Sequence, residues 1–197
     1  IDSHAHLNFK SFDKDRDEVI EKCLKENLWI LNVGSKLESS KKAVEIAEKY
    51  EKGVYAAAGL HPIHAAPGLV KIKTDPEEGS FETSGEDFNI EEYRALSDKA
   101  VAIGEIGLDY YYRPKTKKKL SLFKEKQREV FLKQFNLAKE KDLPVILHCR
   151  MAHDDLLSSL ENYKGVVHCF TGSLKEAEKY IDLGYFIGLN GIIFKMD

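Results

Sequence analysis

The sequence contains few cysteines and no CxxC pair. Only Cys23, Cys149 and Cys169 occur among its 197 residues. An odd number of widely spaced cysteines argues against a disulfide framework and predicts reduced thiols in a cytoplasmic setting. Cys149 and Cys169 each follow a histidine within an apolar run, so we expect both to be small core residues.

The sequence also lacks a long apolar run. No stretch approaches the roughly 20 residues that a membrane-spanning helix needs, and no charged and then apolar leader opens the chain. We therefore expect a protein without a membrane span. Because the chain begins at Ile1 and not at a methionine, removal of a short leader stays open.

Neither sign of charge predominates in the sequence. The formal net charge is -3 and the pI is near 6.2, so the chain as a whole does not attract polyanions. Any contact with nucleic acid must then come from a local basic segment or from bound metal ions. With 43% hydrophobic and 32% charged residues, we expect one soluble globular domain over residues 1–197.

Apolar segments alternate with amphipathic segments along the chain. Strands are predicted at residues 1–6, 28–34, 54–60, 100–104, 144–148, 166–168 and 185–189. Helices are predicted at residues 13–27, 37–50, 90–97, 120–141, 154–163 and 174–183. Residues 68–89, rich in glycine, proline, serine, threonine and acidic side chains, interrupt this alternation, so we expect a surface loop or insertion there.

No glycine-rich phosphate loop follows the first predicted strand. Strands that are almost entirely apolar and alternate with helices predict a parallel α/β fold. An open doubly wound sheet normally carries such a loop, but here the position holds His-Ala-His. A (β/α)8 barrel, or TIM barrel, is therefore the better prediction, with functional side chains at the C-terminal ends of several strands.

Histidines occur at the ends of several predicted strands. His4 and His6 stand at positions i and i+2 of an extended segment, so both imidazoles point to the same side. Glu105, His148 and His168 follow later strands, and in a barrel all five would meet over one mouth. This set exceeds the needs of a single catalytic zinc site, whereas two ions about 3.5–4 Å apart, bridged by Glu105 and a hydroxide, would use all of it. For each histidine taken alone, a core or surface role stays open.

Six motifs follow one another along the chain: IDSHAHL, GLHP, AIGEIGLDYYY, KQREVF, LPVILHCR and VVHCFTGS. From Ile1 to about Lys195 the sequence resembles the TatD family of metal-dependent deoxyribonucleases, within the amidohydrolase superfamily. The resemblance implies a distorted TIM barrel with two divalent ions per subunit, which are Mg²⁺, Mn²⁺ or Zn²⁺. It implies hydrolysis of phosphodiester bonds in DNA, often from the 3′ end of a single strand, in cytoplasmic DNA repair. It indicates no obligate protein partner.

The resemblance also implies roles for the five strand-end residues. His4 and His6 would hold one ion, His148 and His168 would hold the other, and Glu105 would bridge the two.

Three further residues match the family motifs, each with an alternative role. His61 would contact the scissile phosphate or would buttress the turn at Pro62. Asp109 would orient a ligand or a water molecule, or would cap its loop. Arg150 would form a charge-assisted hydrogen bond to phosphate or a structural salt bridge.

The segment after the fourth strand adds two expectations. Residues 113–119 (RPKTKKK) would follow the backbone of a DNA strand, or form a solvated basic surface. One of Tyr110, Tyr111 and Tyr112 would stack on a base, unless these rings pack inside the protein.

The sequence departs from the family pattern at three places. Asn8 stands where the family usually has Asp, and Met151 stands where an acid often follows the arginine. The acidic-Thr-Asp-small-Pro run of the eighth strand, whose Asp completes the shell of the first ion, is absent, and Asp197 does not match it. We therefore expect a barrel domain that is incomplete at its C-terminus, with its last strand missing from this chain.

Two other functions stay open. Related barrels hydrolyse small esters, amides or lactones, and a fold does not by itself determine the substrate. A truncated, inactive remnant that binds metal or a partner is the third possibility, because the acidic run of the eighth strand is absent.

Overall fold

The computed structural model describes residues 1–70, 72–73, 82–83 and 85–195, and a seven-stranded parallel sheet forms its centre. The strands are β1 (Asp2–Ala5), β2 (Ile30–Val33), β3 (Val54–Ala58), β4 (Ile72–Lys73), β5 (Glu82–Thr83), β6 (Ala102–Asp109), β7 (Val145–Arg150), β8 (Gly165–Val167) and β9 (Tyr185–Ile187). The parallel sheet has the order β1-β2-β3-β6-β7-β8-β9, while β4 and β5 form a separate antiparallel pair.

Within the described residues, six α-helices alternate with the strands of the parallel sheet. They are α1 (Arg16–Lys25), α2 (Leu37–Ala47), α3 (Ile90–Ser97), α4 (Lys117–Glu140), α5 (His153–Leu157) and α6 (Leu174–Asp182). Short 3₁₀ turns occur at Lys10–Phe12, Pro62–His64 and Gly191–Lys195. In the part of the chain that the structure describes, no helix combines the length and the apolar character needed to cross a bilayer.

Strand β6 lies at the centre of the sheet, and all eight of its residues are buried. Helix α4 covers it with the apolar stripe that the sequence predicts, which includes Phe123, Phe131 and Phe135. Burial of an aromatic side chain of this size contributes about 1.5–3 kcal/mol. The packing of α4 on β6 therefore fixes the position of the residues that β6 carries.

The observed β6 is longer than the predicted strand at 100–104. The glycines of the GEIGLD run suggest a strand end at Gly104, but the backbone continues to Asp109, so Glu105 lies within the strand. Gly107 has φ of +141°, and a Cβ there would collide with the backbone oxygen of His148 on β7. A glycine is required because the neighbouring strand lies so close.

The sheet is curled. The rings of His4, in β1, and His168, which follows β8, stack with centroids 3.9 Å apart and an interplanar angle of 4°. Since β2, β3, β6 and β7 lie between these two strands in the sheet, the strand ends must bend around a common mouth. The predicted α/β fold of the TIM-barrel type is confirmed as a curled half-barrel.

The two outer strands, β1 and β9, each pair on one side only within the described ranges. Ten of the 22 residues of the predicted loop at 68–89 lie outside those ranges, namely residues 71, 74–81 and 84. At its two ends, Leu69, Val70 and Phe88 pack against the main core, so both ends are attached to the domain.

Candidate metal centre

The candidate residues gather at the C-terminal ends of neighbouring strands, because parallel strands end at the same edge of the sheet. They are His4 and His6 at β1, His61 after β3, Glu105 and Asp109 in β6, His148 and Arg150 in β7, and His168 after β8. All eight residues that the sequence indicates are thus brought to one mouth. The five histidines contact Glu105, Asp109 contacts His148, and Arg150 is connected to them through Asp109.

The buried carboxylate of Glu105 lies at the centre of this cluster, with 4% of the residue exposed. Five histidine rings have a nitrogen within 4.0 Å of it: His4, His6, His61, His148 and His168. Its Oε1 atom lies 2.6 Å from His168 Nε2 and 2.7 Å from His148 Nδ1, whereas its Oε2 atom lies 3.3 Å from His4 Nε2. Glu105 therefore contacts both sides of the mouth.

The donor atoms form two groups. His4, Glu105 and His168 make one group, and His61, Asp109 and His148 make the other, with the donor atoms of each group within 4.8 Å of one another. The ring of His6 joins the first group, since its Nε2 atom lies 3.1 Å from His4 Nε2. His168 lies against His4, and not only against His148, because the curl of the sheet brings the ends of β1 and β8 together.

Hydrogen bonding determines which nitrogen of His6 is free. Its Nδ1 atom lies 2.9 Å from the backbone oxygen of Val33, which can only accept, so Nδ1 carries the hydrogen. The Nε2 atom of the neutral ring therefore presents a lone pair to the mouth. A backbone carbonyl that orients a metal-binding histidine in this way is common in metal sites.

His148 is oriented by a carboxylate instead. Its Nε2 atom lies 3.1 Å from Asp109 Oδ2, the Nε–H group of Arg150 donates to the same oxygen at 2.9 Å, and Nη2 of Arg150 lies 2.8 Å from it in an ion pair. With Nε2 donating to Asp109, Nδ1 is the nitrogen that faces the mouth, and a cation bound there would replace the proton that Nδ1 otherwise donates to Glu105. Asp109 Oδ1 accepts a hydrogen bond of 2.8 Å from the backbone N–H of Tyr111, so Asp109 both contacts His148 and caps its loop.

His61 has the opposite arrangement. The backbone N–H of Ile63 donates to its Nδ1 atom at 3.0 Å, which supports the turn at Pro62. Because Nδ1 accepts, the neutral ring carries its hydrogen on Nε2, and that atom lies 3.3 Å from Glu105 Oε1. His61 therefore combines the turn-buttressing role with an N–H group that points into the mouth.

The donor set fits bound cations. His148 Nδ1 lies within 3.2 Å of three acceptor or donor atoms, Glu105 Oε1, His61 Nε2 and His168 Nε2, and one ring hydrogen cannot satisfy all of them. Nitrogen ligands of a tetrahedral Zn²⁺ lie about 2.0–2.1 Å from the ion and hence roughly 3.3 Å from one another. The separations of 3.1 and 3.2 Å between ring nitrogens here are close to that value.

Burial and charge shift the pKa values of the cluster in different directions. Burial lowers the pKa values of His6 and His168 to about 4, so both rings are neutral near pH 7. Burial alone would lower the pKa of His148, but hydrogen bonds to Asp109 and Glu105 outweigh it and raise that pKa to about 9. Against the effect of burial, the surrounding histidines hold the pKa of Glu105 well below its usual value, so the carboxylate is ionised.

The structure accounts for one of the two substitutions within the family motifs. The Nδ2 group of Asn8 donates to the backbone oxygens of Val33 and Ser39 at 3.1 and 3.0 Å, which a carboxylate could not do. Met151 is exposed and contributes no group to the mouth. Asp197 lies outside the described residues.

Two buried glutamines of α4 support the site, although neither belongs to the residues that the sequence motifs indicate as functional. Gln127 accepts from the backbone N–H of Asp109 at 2.9 Å and donates to the backbone oxygens of Asp109 and Pro62 at 3.0 Å each. Gln134 makes a similar pair of hydrogen bonds with the backbone of Leu60, at 2.7 and 3.0 Å. Polar residues seven positions apart on an apolar helix face are the pattern that could have indicated this role.

Comparisons with known proteins point in the same direction as this geometry. A family model described as "TatD related DNase" matches residues 1–197. The metal-dependent hydrolase YabD of Bacillus subtilis is 34% identical over 202 residues, which span 99% of this chain and 70% of that protein. A protein of Erwinia tasmaniensis named 3'-5' ssDNA/RNA exonuclease TatD is 34% identical over 202 residues, spanning 98% of this chain and 68% of that protein. The crystal structure of YjjV, a TatD homologue of Escherichia coli, superposes with a TM-score of 0.76 at 32% identity, over 98% of this chain and 68% of the other.

Proposed function

The chain belongs to the TatD family of metal-dependent, DNase-related hydrolases, and from this premise we propose that it removes nucleotides from the 3′ end of single-stranded DNA. Relatives named 3'-5' ssDNA/RNA exonuclease TatD, at 34% and 33% identity, support the substrate and the polarity. Two divalent ions per chain, Mg²⁺, Mn²⁺ or Zn²⁺, are the proposed cofactors. The position of Glu105 between the two donor groups is the observation that carries the proposal.

The donor atoms divide naturally between two ions. His4, His6 and His168 surround the first position, and Nδ1 of His148 faces the second, where an ion would take the place of its proton. Glu105 Oε2 lies beside His4, and Oε1 lies beside both His168 and His148, so this carboxylate would be shared between the two positions. Imidazole nitrogen and carboxylate oxygen are ligands that Zn²⁺ and Mn²⁺ both accept.

Divalent ions bound by these residues would supply Lewis-acid chemistry, polarising a phosphoryl oxygen and lowering the pKa of bound water towards neutrality. The protein contributes the arrangement around the phosphate. His61 carries a hydrogen on Nε2, and this N–H group donates to a non-bridging oxygen of the scissile phosphate. Asp109 and Arg150 hold His148 in the orientation that it needs. No side-chain nucleophile is required.

The proposal is tested with purified protein and parallel substrates. A 5′-labelled single strand, the corresponding duplex, an RNA strand, a small ester and a lactone are incubated with each of the three metal ions in turn. We expect progressive shortening of the single strand from its 3′ end, complete inhibition by a chelator, and a strong loss of rate in Glu105→Gln. Because Glu105→Gln is purified identically, it also controls for contaminating nucleases.

Two results would contradict the proposal. Turnover of the ester or the lactone alone would place the protein among hydrolases of small substrates. Metal binding near two ions per chain without turnover of any substrate would identify a binding protein.

A further inference from the structure

Three consecutive tyrosines follow β6, and their environments differ. Tyr110 is 3% exposed and packs near Phe123 in the core, whereas Tyr111 and Tyr112 are 54% and 42% exposed. The exposed rings contact each other edge to face, with centroids 4.8 Å apart. Large exposed aromatic side chains next to a candidate active site are more typical of binding than of folding.

Arg150 supports the exposed pair from one side. Its guanidinium carbon lies 4.3 Å from the centroid of the Tyr111 ring and 5.4 Å from that of Tyr112. The same guanidinium is anchored to Asp109, and the backbone N–H of Tyr111 also donates to Asp109. The two rings are therefore attached to the residue that orients His148, directly beside the candidate metal centre.

An exposed cationic segment begins immediately after the tyrosines. Its five charged residues are Arg113, Lys115, Lys117, Lys118 and Lys119. None of the five forms an ion pair with a carboxylate of the described residues, although the chain as a whole has a net charge of -3. A local group of unpaired cations beside exposed aromatic rings matches the pattern of single-strand binding sites, where phosphates and bases are held separately.

We propose that Tyr111 and Tyr112, backed by Arg150, form a stacking platform for a nucleobase next to the scissile phosphate, and that the cations at 113–119 hold the adjoining phosphates. This inference rests on the proposed nuclease function. It says which residues bind the base and the adjoining phosphates, the parts of the substrate that the metal centre does not contact. Stacking tolerates any base, since every base has an aromatic face, so the platform selects unpaired strands and not a sequence.

The test compares strands with and without bases. The first substrate is an oligothymidylate, and the second has the same length and backbone but abasic tetrahydrofuran residues. We expect the wild-type protein to prefer the base-containing strand. The double replacement of Tyr111→Ala and Tyr112→Ala should lower kcat/KM on that strand by about 5-fold to 100-fold. It should also reduce the ratio of kcat/KM on the base-containing strand to kcat/KM on the abasic strand. The matched variant with phenylalanine at both positions keeps the rings and should retain most of the preference. Phe186→Ala, a 78% exposed aromatic residue on β9, is the control.

A binding measurement separates this inference from the proposed function. A phosphorothioate strand with 2-aminopurine near its 3′ end reports stacking by loss of fluorescence, without turnover. If the protein cleaves no nucleic acid but quenches 2-aminopurine only when both tyrosines are present, the platform stands and the nuclease assignment fails. Equal losses on both strands in the alanine variant, or no preference of the wild-type protein for bases, would overturn the platform.

Discussion

The Nε–H group of Arg150 donates a hydrogen bond of 2.9 Å to Asp109 Oδ2, and Nη2 lies 2.8 Å from the same oxygen, so the guanidinium forms an ion pair with Asp109 and does not extend freely into the mouth. Of the two roles open from the sequence, the salt bridge is the one that the structure contains. Since Asp109 in turn contacts His148 Nε2, the guanidinium acts on the candidate metal centre through Asp109 and His148. Arg150 is therefore a positioning residue in this structure, whatever contact it also makes with substrate.

This relationship predicts the effect of Arg150→Met. Loss of a group that orients a metal ligand typically costs 10–100-fold in metal affinity or activity, so we expect a fall of about that size in kcat, together with reduced metal content. If phosphate binding were the main role, KM would rise while metal content stayed at the wild-type level. Arg94→Met, which removes a surface ion pair with Glu91 and Glu140, is the control and should change neither quantity.

Glu105→Gln should reduce activity more than replacement of any single histidine. The carboxylate lies between both donor groups, so its loss weakens both at once, and we expect a loss of more than about 100-fold. Activity and bound metal, measured by elemental analysis, are compared with those of Glu178→Gln, an exposed glutamate without an ion pair in the described part of the chain. A Glu105→Gln enzyme with an unchanged rate would refute the bridging role.

Removal of metal should lower thermal stability. A ligand at 100 times its Kd stabilises the folded state by about 2.7 kcal/mol, and for a domain of this size each kcal/mol shifts Tm by roughly 2–4 °C. Dialysis against a chelator should therefore lower Tm by about 5 °C or more, and added Mn²⁺ or Zn²⁺ should restore it. The Glu105→Gln variant should show a much smaller metal-dependent shift than Glu178→Gln. An identical shift in both variants would mean that the metal binds elsewhere.

The convergence of the site was predictable because it depends on a regular feature. Parallel strands place their C-terminal ends at one edge, and His4, His148 and His168 all follow or end apolar runs in the sequence. The arrangement within the site was not predictable. His168 stacks on His4 only because the sheet curls, and the free nitrogen of His6 is determined by the carbonyl of Val33 on another strand.

Glycine chemistry explains the main error in the predicted elements. Gly104 and Gly107 flank Glu105 and suggest a strand that ends before it, yet Gly107 is needed inside the strand because His148 approaches it closely. Such a contact between strands is a tertiary property. The same contact brings Glu105 and His148 together, so the local pattern was misleading at a position where the site is built.

The buried His64 should make stability depend on pH. Burial, aided by the positive charges of neighbouring side chains, lowers its pKa from about 6.5 to about 3. Between these values the unfolded chain binds a proton that the folded chain does not, so the free energy of unfolding falls as the pH decreases below 6.5. His64→Gln removes this titration. The free energy of unfolding of the variant minus that of the wild type should therefore be about 2 kcal/mol larger at pH 5 than at pH 7.

Urea unfolding in the presence of a chelator measures this difference without a metal contribution. The comparison at pH 7 serves as the reference, because there both proteins carry a neutral side chain and differ only in packing and hydrogen bonding. An equal difference between variant and wild type at both pH values would show that His64 binds its proton equally in the folded and the unfolded chain.

Gln127 should be more important for stability than Gln134, although both are buried on α4. Gln127→Leu removes three hydrogen bonds, two at the backbone of Asp109 and one at Pro62, whose oxygen still accepts from the backbone N–H of Ala65, whereas Gln134→Leu removes two at Leu60. Each variant leaves two buried backbone groups unpaired, at about 1–3 kcal/mol each, and Gln127→Leu loses one further hydrogen bond worth about 0.5–1.5 kcal/mol, so we expect losses of at least about 2.5 and 2 kcal/mol, respectively, in urea unfolding. The two variants should differ more in activity than in stability, because only Gln127 connects the strand end that carries Asp109 to the turn that holds His61. A Gln127→Leu variant that unfolds at a lower urea concentration but keeps kcat at 25 °C would restrict this glutamine to a structural role. If kcat of Gln127→Leu fell together with its stability, and excess metal did not restore it, Gln127 would be shown to support the site.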